Sequence, residues 1–335
     1  MRLLVTGGCG FIGSNFIRHI LTKYPVYRIV NFDALTYAGN PENLKDIQGD
    51  ARYTFVKGKI EDAALVNDLV RSADCVIHFA AESHVDRSIV DAQPFLTTNI
   101  MGTYVMLTAS REAGAKRFIH ISTDEVYGSL DDEGKFTEDT PLRPNSPYSA
   151  SKASGDMLVR AYHETYGLPA IIVRPSNNYG PYQYPEKLIP LMITNLLENG
   201  TIPVYGEGRN VRDWLFVGDT CSAIDLILHK GRDGEVYNVG GNAERRNIDI
   251  ARKVLEMMGK DEGAITYVAD RPGHDYRYAL DNSKIERELG WKPSIDVERG
   301  LEATILWYRE NEWWWKPLKE RLSSESKGFW ETKKP

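Results

Sequence analysis

Along the first half of the chain, short runs of β-branched and apolar residues alternate with longer stretches whose apolar positions recur every three or four residues. The short runs predict strands at Arg2–Thr6, Tyr27–Phe32, Tyr53–Lys57, Cys75–Phe79, Arg117–Ser122 and Ala170–Arg174. The longer stretches predict helices at Phe11–Lys23, Glu61–Ser72, Phe95–Ala113 and Tyr148–Tyr166. Strands that are apolar throughout are buried on both faces, and intervening helices supply the crossovers. This rhythm therefore predicts a parallel sheet covered on both sides.

After Arg174 the texture changes. Pro, Asn, Tyr and Gly cluster through Pro175–Pro185, and shorter elements follow. Val236–Val239 reads as a further strand and Asp219–His229 as a helix that returns to the first domain. The expected fold class is α/β: a Rossmann-type, doubly wound parallel sheet with a smaller, discontinuous C-terminal substrate lobe. Residues 1–175, with returns near 211–240, form the first domain in this reading; 176–210 and 241–335 form the second lobe. Trp307 and the run Trp313-Trp314-Trp315 suit the docking of a terminal helix onto the body, and they receive no catalytic role.

A chain of 335 residues exceeds the usual size of one core, which agrees with two parts. The net charge of −6 argues against a nucleic-acid surface while leaving room for a local basic pocket. Cys9, Cys75 and Cys221 lie at neither metal-ligand nor redox spacing, so no metal is expected. The apolar run at Leu3–Val5 is too short for a signal peptide or a membrane span, and the expected location is the cytoplasm.

Gly7, Gly10 and Gly13 form a G-x-x-G-x-x-G turn between the first strand and the first helix. Such a turn lets backbone approach a pyrophosphate, which sits at the positive helix N-terminus. Asp33 ends the second strand about twenty residues further on, where a carboxylate accepts hydrogen bonds from ribose hydroxyls. Its charge would repel the extra phosphate of NADP, so the expected cofactor is NAD.

Tyr148 and Lys152 stand at i and i+4 on one helix face. A neighbouring ammonium favours the phenolate and so makes tyrosine a usable base. Beyond the fifth strand, Thr123 offers a hydroxyl, and Asp124 and Glu125 offer adjacent carboxyl groups suited to acid and base roles. The plainer alternative makes Asp124 a helix N-cap beside a solvated Glu125.

Together, Gly7–Gly13, Asp33, Ser122–Gly128 and Tyr148–Lys152 resemble the extended short-chain dehydrogenase/reductases that act on nucleotide sugars. The Thr-Asp-Glu order is similar to that of the dTDP-glucose 4,6-dehydratases within this group. The segments Phe79–Ser88, Asn177–Tyr182 and Arg271–Tyr278 match it as well. The resemblance implies oxidation at C4 of dTDP-glucose, loss of water across C5 and C6, and return of hydride to C6. It implies Phe11, Ile12, Asp33, Ala80, Ala81, Thr98 and Asn178 as NAD contacts. Ser83, Asn177, Glu186, Lys187, Arg212, Asn247, Arg271, His274 and Tyr278 would line the sugar-nucleotide side, with the two arginines on the diphosphate. A homodimer built on helices Phe95–Ala113 and Tyr148–Tyr166 is implied too.

One position departs from the pattern. The family reads Gly-Asp-Ile after the third strand, where this chain has Gly58-Lys59-Ile60; an ammonium cannot accept from the adenine amine, although Glu61 or Asp62 could. An epimerase, a dehydratase for another nucleotide and a redox-inactive NAD-binding regulator are the rival functions. The Asp-Glu pair speaks against the first, and the presence of both Tyr148 and Lys152 against the last.

Overall fold

The structure, a computed structural model, describes residues 1–270 and 273–329. Its strands are β1 (Arg2–Thr6), β2 (Arg28–Asp33), β3 (Tyr53–Lys57), β4 (Cys75–His78), β5 (Arg117–Ile121) and β6 (Ala170–Pro175). They continue as β7 (Asn177–Tyr179), β8 (Ile202–Tyr205), β9 (Val211–Phe216), β10 (Val236–Val239), β11 (Glu244–Arg246) and β12 (Ile265–Val268). The helices of the first half are α1 (Phe11–Lys23), α2 (Ala63–Arg71), α3 (Val85–Val90), α4 (Gln93–Phe95), α5 (Thr103–Ala113) and α6 (Pro147–Tyr166). Those of the second are α7 (Leu188–Leu197), α8 (Val217–Lys230), α9 (Asn247–Met258), α10 (Ser283–Leu289), α11 (Val297–Glu310) and α12 (Glu312–Phe329).

Seven parallel strands make the central sheet in the order β10-β6-β5-β4-β1-β2-β3. Successive side chains on a strand point to opposite faces, which explains why these strands are apolar throughout. Leu3, Val5, Ile77, Ile119, Ile171 and Val173 pack on one face against α1 and α8, whose contributions include Phe16, Ile20, Ile224 and Ile227. Leu4, Val76, Phe118 and Ile172 pack on the other against Val66 of α2, Met106 and Leu107 of α5 and Val159 of α6. Burying each such side chain fully stabilises by about 1.5–3 kcal/mol. The sheet is doubly wound, as its sequence rhythm predicts.

A second core joins α7, α9, α11 and α12 through Met192, Ile193, Val254, Leu301, Ile305 and Trp315. Two small sheets, β11-β9-β7 and β12-β8, accompany it. Ile285 and Trp291, which lie in the sequence range expected to form the second lobe, pack instead into the first core beside α8.

Two local departures matter for the site. The helical run from Gln93 to Ala113 is not uniformly α: Leu96–Gly102 is π-helical, a feature often found where function shapes a helix. Within it, Asn99 accepts from the Glu82 amide (2.9 Å) and donates to the Ser151 hydroxyl (2.8 Å), tying this helix to α6. Helix α6 begins one residue earlier than its apolar pattern suggests. Pro147 occupies its first turn, and Ser146 caps it with Ser149 in a reciprocal pair.

Candidate active site

The chain leaves β1 towards one edge of the sheet and β4 towards the other, so a crevice opens beyond their carboxyl ends. A cleft of about 530 Å³ lies there. Gly7, Gly10, Phe11, Ile12 and Gly13 form one wall, and Asp33, Ala80, Ala81 and Thr98 another. Ser83, Glu186 and Lys187 line the cleft as well, and the buried Tyr148 and Lys152 lie at its inner end.

The residues present fit a dinucleotide. Gly7 has φ +68°, and a Cβ there would stand 2.6 Å from the Ala80 amide nitrogen; a Cβ on Gly13 would stand 2.5 Å from the Gly7 carbonyl oxygen. The turn therefore closes only with glycine at both places, leaving bare backbone at the start of α1. Asp33 is held by amide donors from Cys9 (2.9 Å) and Leu35 (2.8 Å). Burial pushes its carboxyl upward, and these two donors oppose the shift.

At the inner end, Tyr148 and Lys152 are both buried on α6. The Lys152 ammonium donates to the Ile121 carbonyl at the end of β5, 2.7 Å away. Burial pulls Lys152 down to about 8, while Asp156, one turn further along, opposes this. Burial pushes the Tyr148 phenol up, and the neighbouring Glu125 adds to the rise; a hydrogen bond with Thr123 works the other way.

The segment after β5 corrects one alternative. Thr123, not Asp124, caps the short 3-10 turn Asp124–Tyr127, accepting from the Glu125 amide at 3.3 Å. Asp124 is instead buried, with one carboxyl oxygen 3.3 Å from the Thr123 hydroxyl and the other lacking a hydrogen-bond partner among the described residues. Burial, then the charges of Glu125 and Asp213, raise it well above the usual carboxylate range. Asp124 is thus a buried carboxyl whose environment favours the protonated form, beside a half-buried Glu125.

The remaining expected residues divide. Arg212 is buried over the Tyr278 ring (4.3 Å), and its guanidinium donates to the carbonyls of Val211 (2.8 Å) and Asp275 (2.9 Å). Among the described residues, the side-chain carbonyl oxygens of Asn177 and Asn247 and the Ser122 hydroxyl are buried without a hydrogen-bond partner, and Ser122 lines the cleft. An unpaired buried polar atom on a cleft wall is one that a ligand would satisfy. His274 pairs with Asp270 (2.6 Å). Arg271 lies outside the described residues.

The Asn178 side chain donates to the Ser176 carbonyl (2.9 Å) and accepts from Thr220 (2.6 Å), which ties the chain to α8. Lys59 is exposed at the cleft edge with Glu61 beside it. Asp62 caps α2 by accepting from the Leu65 amide (3.2 Å), whereas Glu61 faces the cleft and accepts from Thr98 at 3.0 Å.

Tyr37, Tyr182, Tyr184 and Trp314 also line the cleft, and their sequence positions give them no site role. Tyr182 and Tyr184 sit in the Pro/Tyr cluster after β6, a loop signal without periodicity. Trp314 belongs to the tryptophan run, whose composition points only to packing. Among the described residues no group of His, Cys, Asp or Glu could hold a metal ion, and no helix is long and apolar enough to cross a membrane.

Residues 4–304 match the family model described as GDP-mannose 4,6 dehydratase. A dTDP-glucose 4,6-dehydratase of Xanthomonas campestris pv. campestris (strain B100) is 53% identical over 331 residues, covering 93% of this chain and 94% of the relative. The chain belongs to the dTDP-glucose 4,6-dehydratase family. Two solved dTDP-glucose 4,6-dehydratases share the fold. One, from Streptomyces venezuelae with NAD and a second ligand bound, has a TM-score of 0.93 at 53% identity, covering 95% of this chain and 100% of its own. The other, from Bacillus anthracis in complex with NAD, has a TM-score of 0.90 at 52% identity, with 95% and 99% covered.

Proposed function

We propose that the chain is an NAD-dependent hydro-lyase that converts dTDP-glucose to dTDP-4-keto-6-deoxyglucose and water. The observation that carries this reading is Asp124. A carboxyl buried beside Glu125, where burial favours the protonated form, is placed to donate a proton, and expulsion of a hydroxyl as water requires a donor. Bound NAD supplies a hydride acceptor that later returns the hydride, and in its oxidised form a positive charge.

The glycine turn and Asp33 hold the dinucleotide, with Ala80, Ala81 and Thr98 lining it. Tyr148, as a phenolate stabilised by the Lys152 ammonium one turn along, takes the proton of the sugar 4-hydroxyl and becomes the phenol. The 4-ketone acidifies the C5 hydrogen. Glu125 removes that proton, and Asp124 gives its own to the departing C6 hydroxyl, with Thr123 orienting the sugar. Residues 176–210 and 241–335 form most of the substrate side, where Ser83, Asn177, Glu186, Lys187, Arg212, Asn247, His274 and Tyr278 meet the sugar nucleotide. Incubating the purified chain with dTDP-glucose should give a 4-keto-6-deoxy product detected by mass spectrometry. A C4-epimer in its place would support the epimerase reading instead.

The same reading extends to assembly. Leu96, Met101 and Tyr104 on the helical run before and into α5, and Met157 on α6, are large apolar side chains left exposed. Their presence on both helices supports a homodimer that covers them. Three buried free thiols support a reducing, cytoplasmic setting. A monomeric mass by light scattering at micromolar concentration would refute the dimer.

A further inference from the structure

The tryptophan run has one member that does more than pack. Trp314 is buried on α12 and forms part of the cleft wall, and its indole N–H donates to the Asn43 side-chain oxygen at 2.7 Å. Asn43 is buried too, and its amide donates onward to the Cys9 carbonyl at 2.8 Å. Cys9 is the residue inside the glycine turn, and its own N–H donates to Asp33 at 2.9 Å. One continuous chain of hydrogen bonds thus runs from the C-terminal helix to the carboxylate expected to receive the ribose. A parallel contact braces it: Arg18 of α1 stacks on Tyr182 (4.2 Å) and donates to the Asn43 carbonyl, while the Tyr182 ring meets Trp314 edge-on.

We propose that Trp314 is a positioning residue for the cofactor: through Asn43 it fixes the Cys9 peptide, and with it Asp33, in the geometry that receives NAD. This rests on the reading of the cleft as an NAD site. The physical reason is that Asn43 has one side-chain acceptor and one donor group engaged in opposite directions. Removing the indole donor leaves its amide free to rotate and loosens its grip on Cys9. A turn that must present backbone to a pyrophosphate tolerates little displacement.

Trp315 supplies the control. It is equally buried on the same helix and also donates its indole N–H, but to the Tyr308 carbonyl (2.7 Å), away from the cofactor turn. Release of NAD from the full-length holoenzyme, followed by exchange against labelled NAD, should quicken about threefold to tenfold in Trp314→Phe, the loss expected from one hydrogen bond. Trp315→Phe should lower thermal stability to a similar degree and leave NAD release unchanged. Asn43→Ala, which reads the same chain from its middle should Trp314→Phe not fold, should also release NAD faster. The double variant Trp314→Phe/Asn43→Ala should be no faster than Asn43→Ala alone. With NAD saturating, KM for dTDP-glucose should stay within about twofold of wild type, since the chain of bonds ends at the cofactor. Unchanged NAD release in Trp314→Phe, or equal acceleration in Trp315→Phe, would overturn the proposal. A wild-type chain that binds no NAD at all would remove the functional reading itself, and the positioning role with it.

Discussion

Lys152 offers a test in which stability and catalysis move in opposite directions. Its ammonium is buried and satisfied by a single backbone carbonyl, that of Ile121. Burial draws it from the ordinary 10.5 to about 8. At about 1.4 kcal/mol per decade, the folded chain is disfavoured by roughly 3 kcal/mol whenever both folded and unfolded forms carry the proton. That condition holds below pH 8. Between about 8 and 10.5 the folded chain has lost the proton and the unfolded chain still binds it, so the penalty fades; above 10.5 it is gone. Lys152→Met removes the charge while keeping much of the volume. It also leaves the Ile121 carbonyl without its donor, at a cost of about 1–3 kcal/mol that does not depend on pH. Urea denaturation of the cofactor-free variant and wild type should therefore show a stability difference that tilts with pH. Relative to wild type, Lys152→Met should stand highest at pH 7, and the stability difference should shift against it by about 2–3 kcal/mol by pH 10.5. The first hydride transfer should be severely impaired throughout. A stability difference that stays flat from pH 7 to 10.5 would mean that Lys152 titrates normally in the folded chain, and the account of its environment would be wrong.

Other substitutions divide the reaction into its parts. Tyr148→Phe should retain the fold and slow reduction of NAD by bound substrate by about 10²–10⁴-fold, read by single-turnover absorbance; near-normal turnover would mean that another group is the base. Asp124→Asn and Glu125→Gln should leave that first oxidation better preserved than loss of water, so rapid-quench analysis should find a 4-keto hexose accumulating. Both variants failing at the first hydride transfer as badly as Tyr148→Phe would undo the division of roles. Lys59→Asp should tighten NAD binding about threefold to tenfold in calorimetric titration by restoring an acceptor at the cleft edge. Equal or weaker binding would show that Glu61, already facing the cleft, serves the adenine.

What could be read from the sequence was local. The glycine turn, Asp33 and the Tyr148–Lys152 pair each depend on a strand, a turn or one helix face, so residue spacing alone encodes them. The sheet was legible for a related reason: strands buried on both faces carry their burial in their composition. Contacts formed between distant segments left no such mark. Nothing near Asp124 in the chain reveals that Thr123 takes the capping role and lets the carboxyl turn inward. Asn178 sits beside Asn177 in sequence, yet the Thr220 hydroxyl from a helix some forty residues on claims its side chain. Ile285 and Trp291 lie in sequence between α9 and α11 of the second core, yet pack into the first. The π-helical turn at Leu96–Gly102 carries an ordinary helical pattern and becomes visible only when Asn99 is seen bridging Glu82 and Ser151.

The place of β10 at the edge of the central sheet has a consequence for synthesis. When residue 175 has left the ribosome, six of the seven strands exist, and α2, α5 and α6 can cover one face. The opposite face has α1 and the turn carrying Leu44 and Ile47, because the rest of its cover comes from Leu215, Ile224 and Ile227, with Ile285 later still. A nascent chain of that length presents Ile119, Ile171 and Val173 to solvent together with an unpaired β6 edge, a surface suited to chaperones and to wrong partners. Completion of the sheet must therefore wait for translation to pass the first elements of the second core.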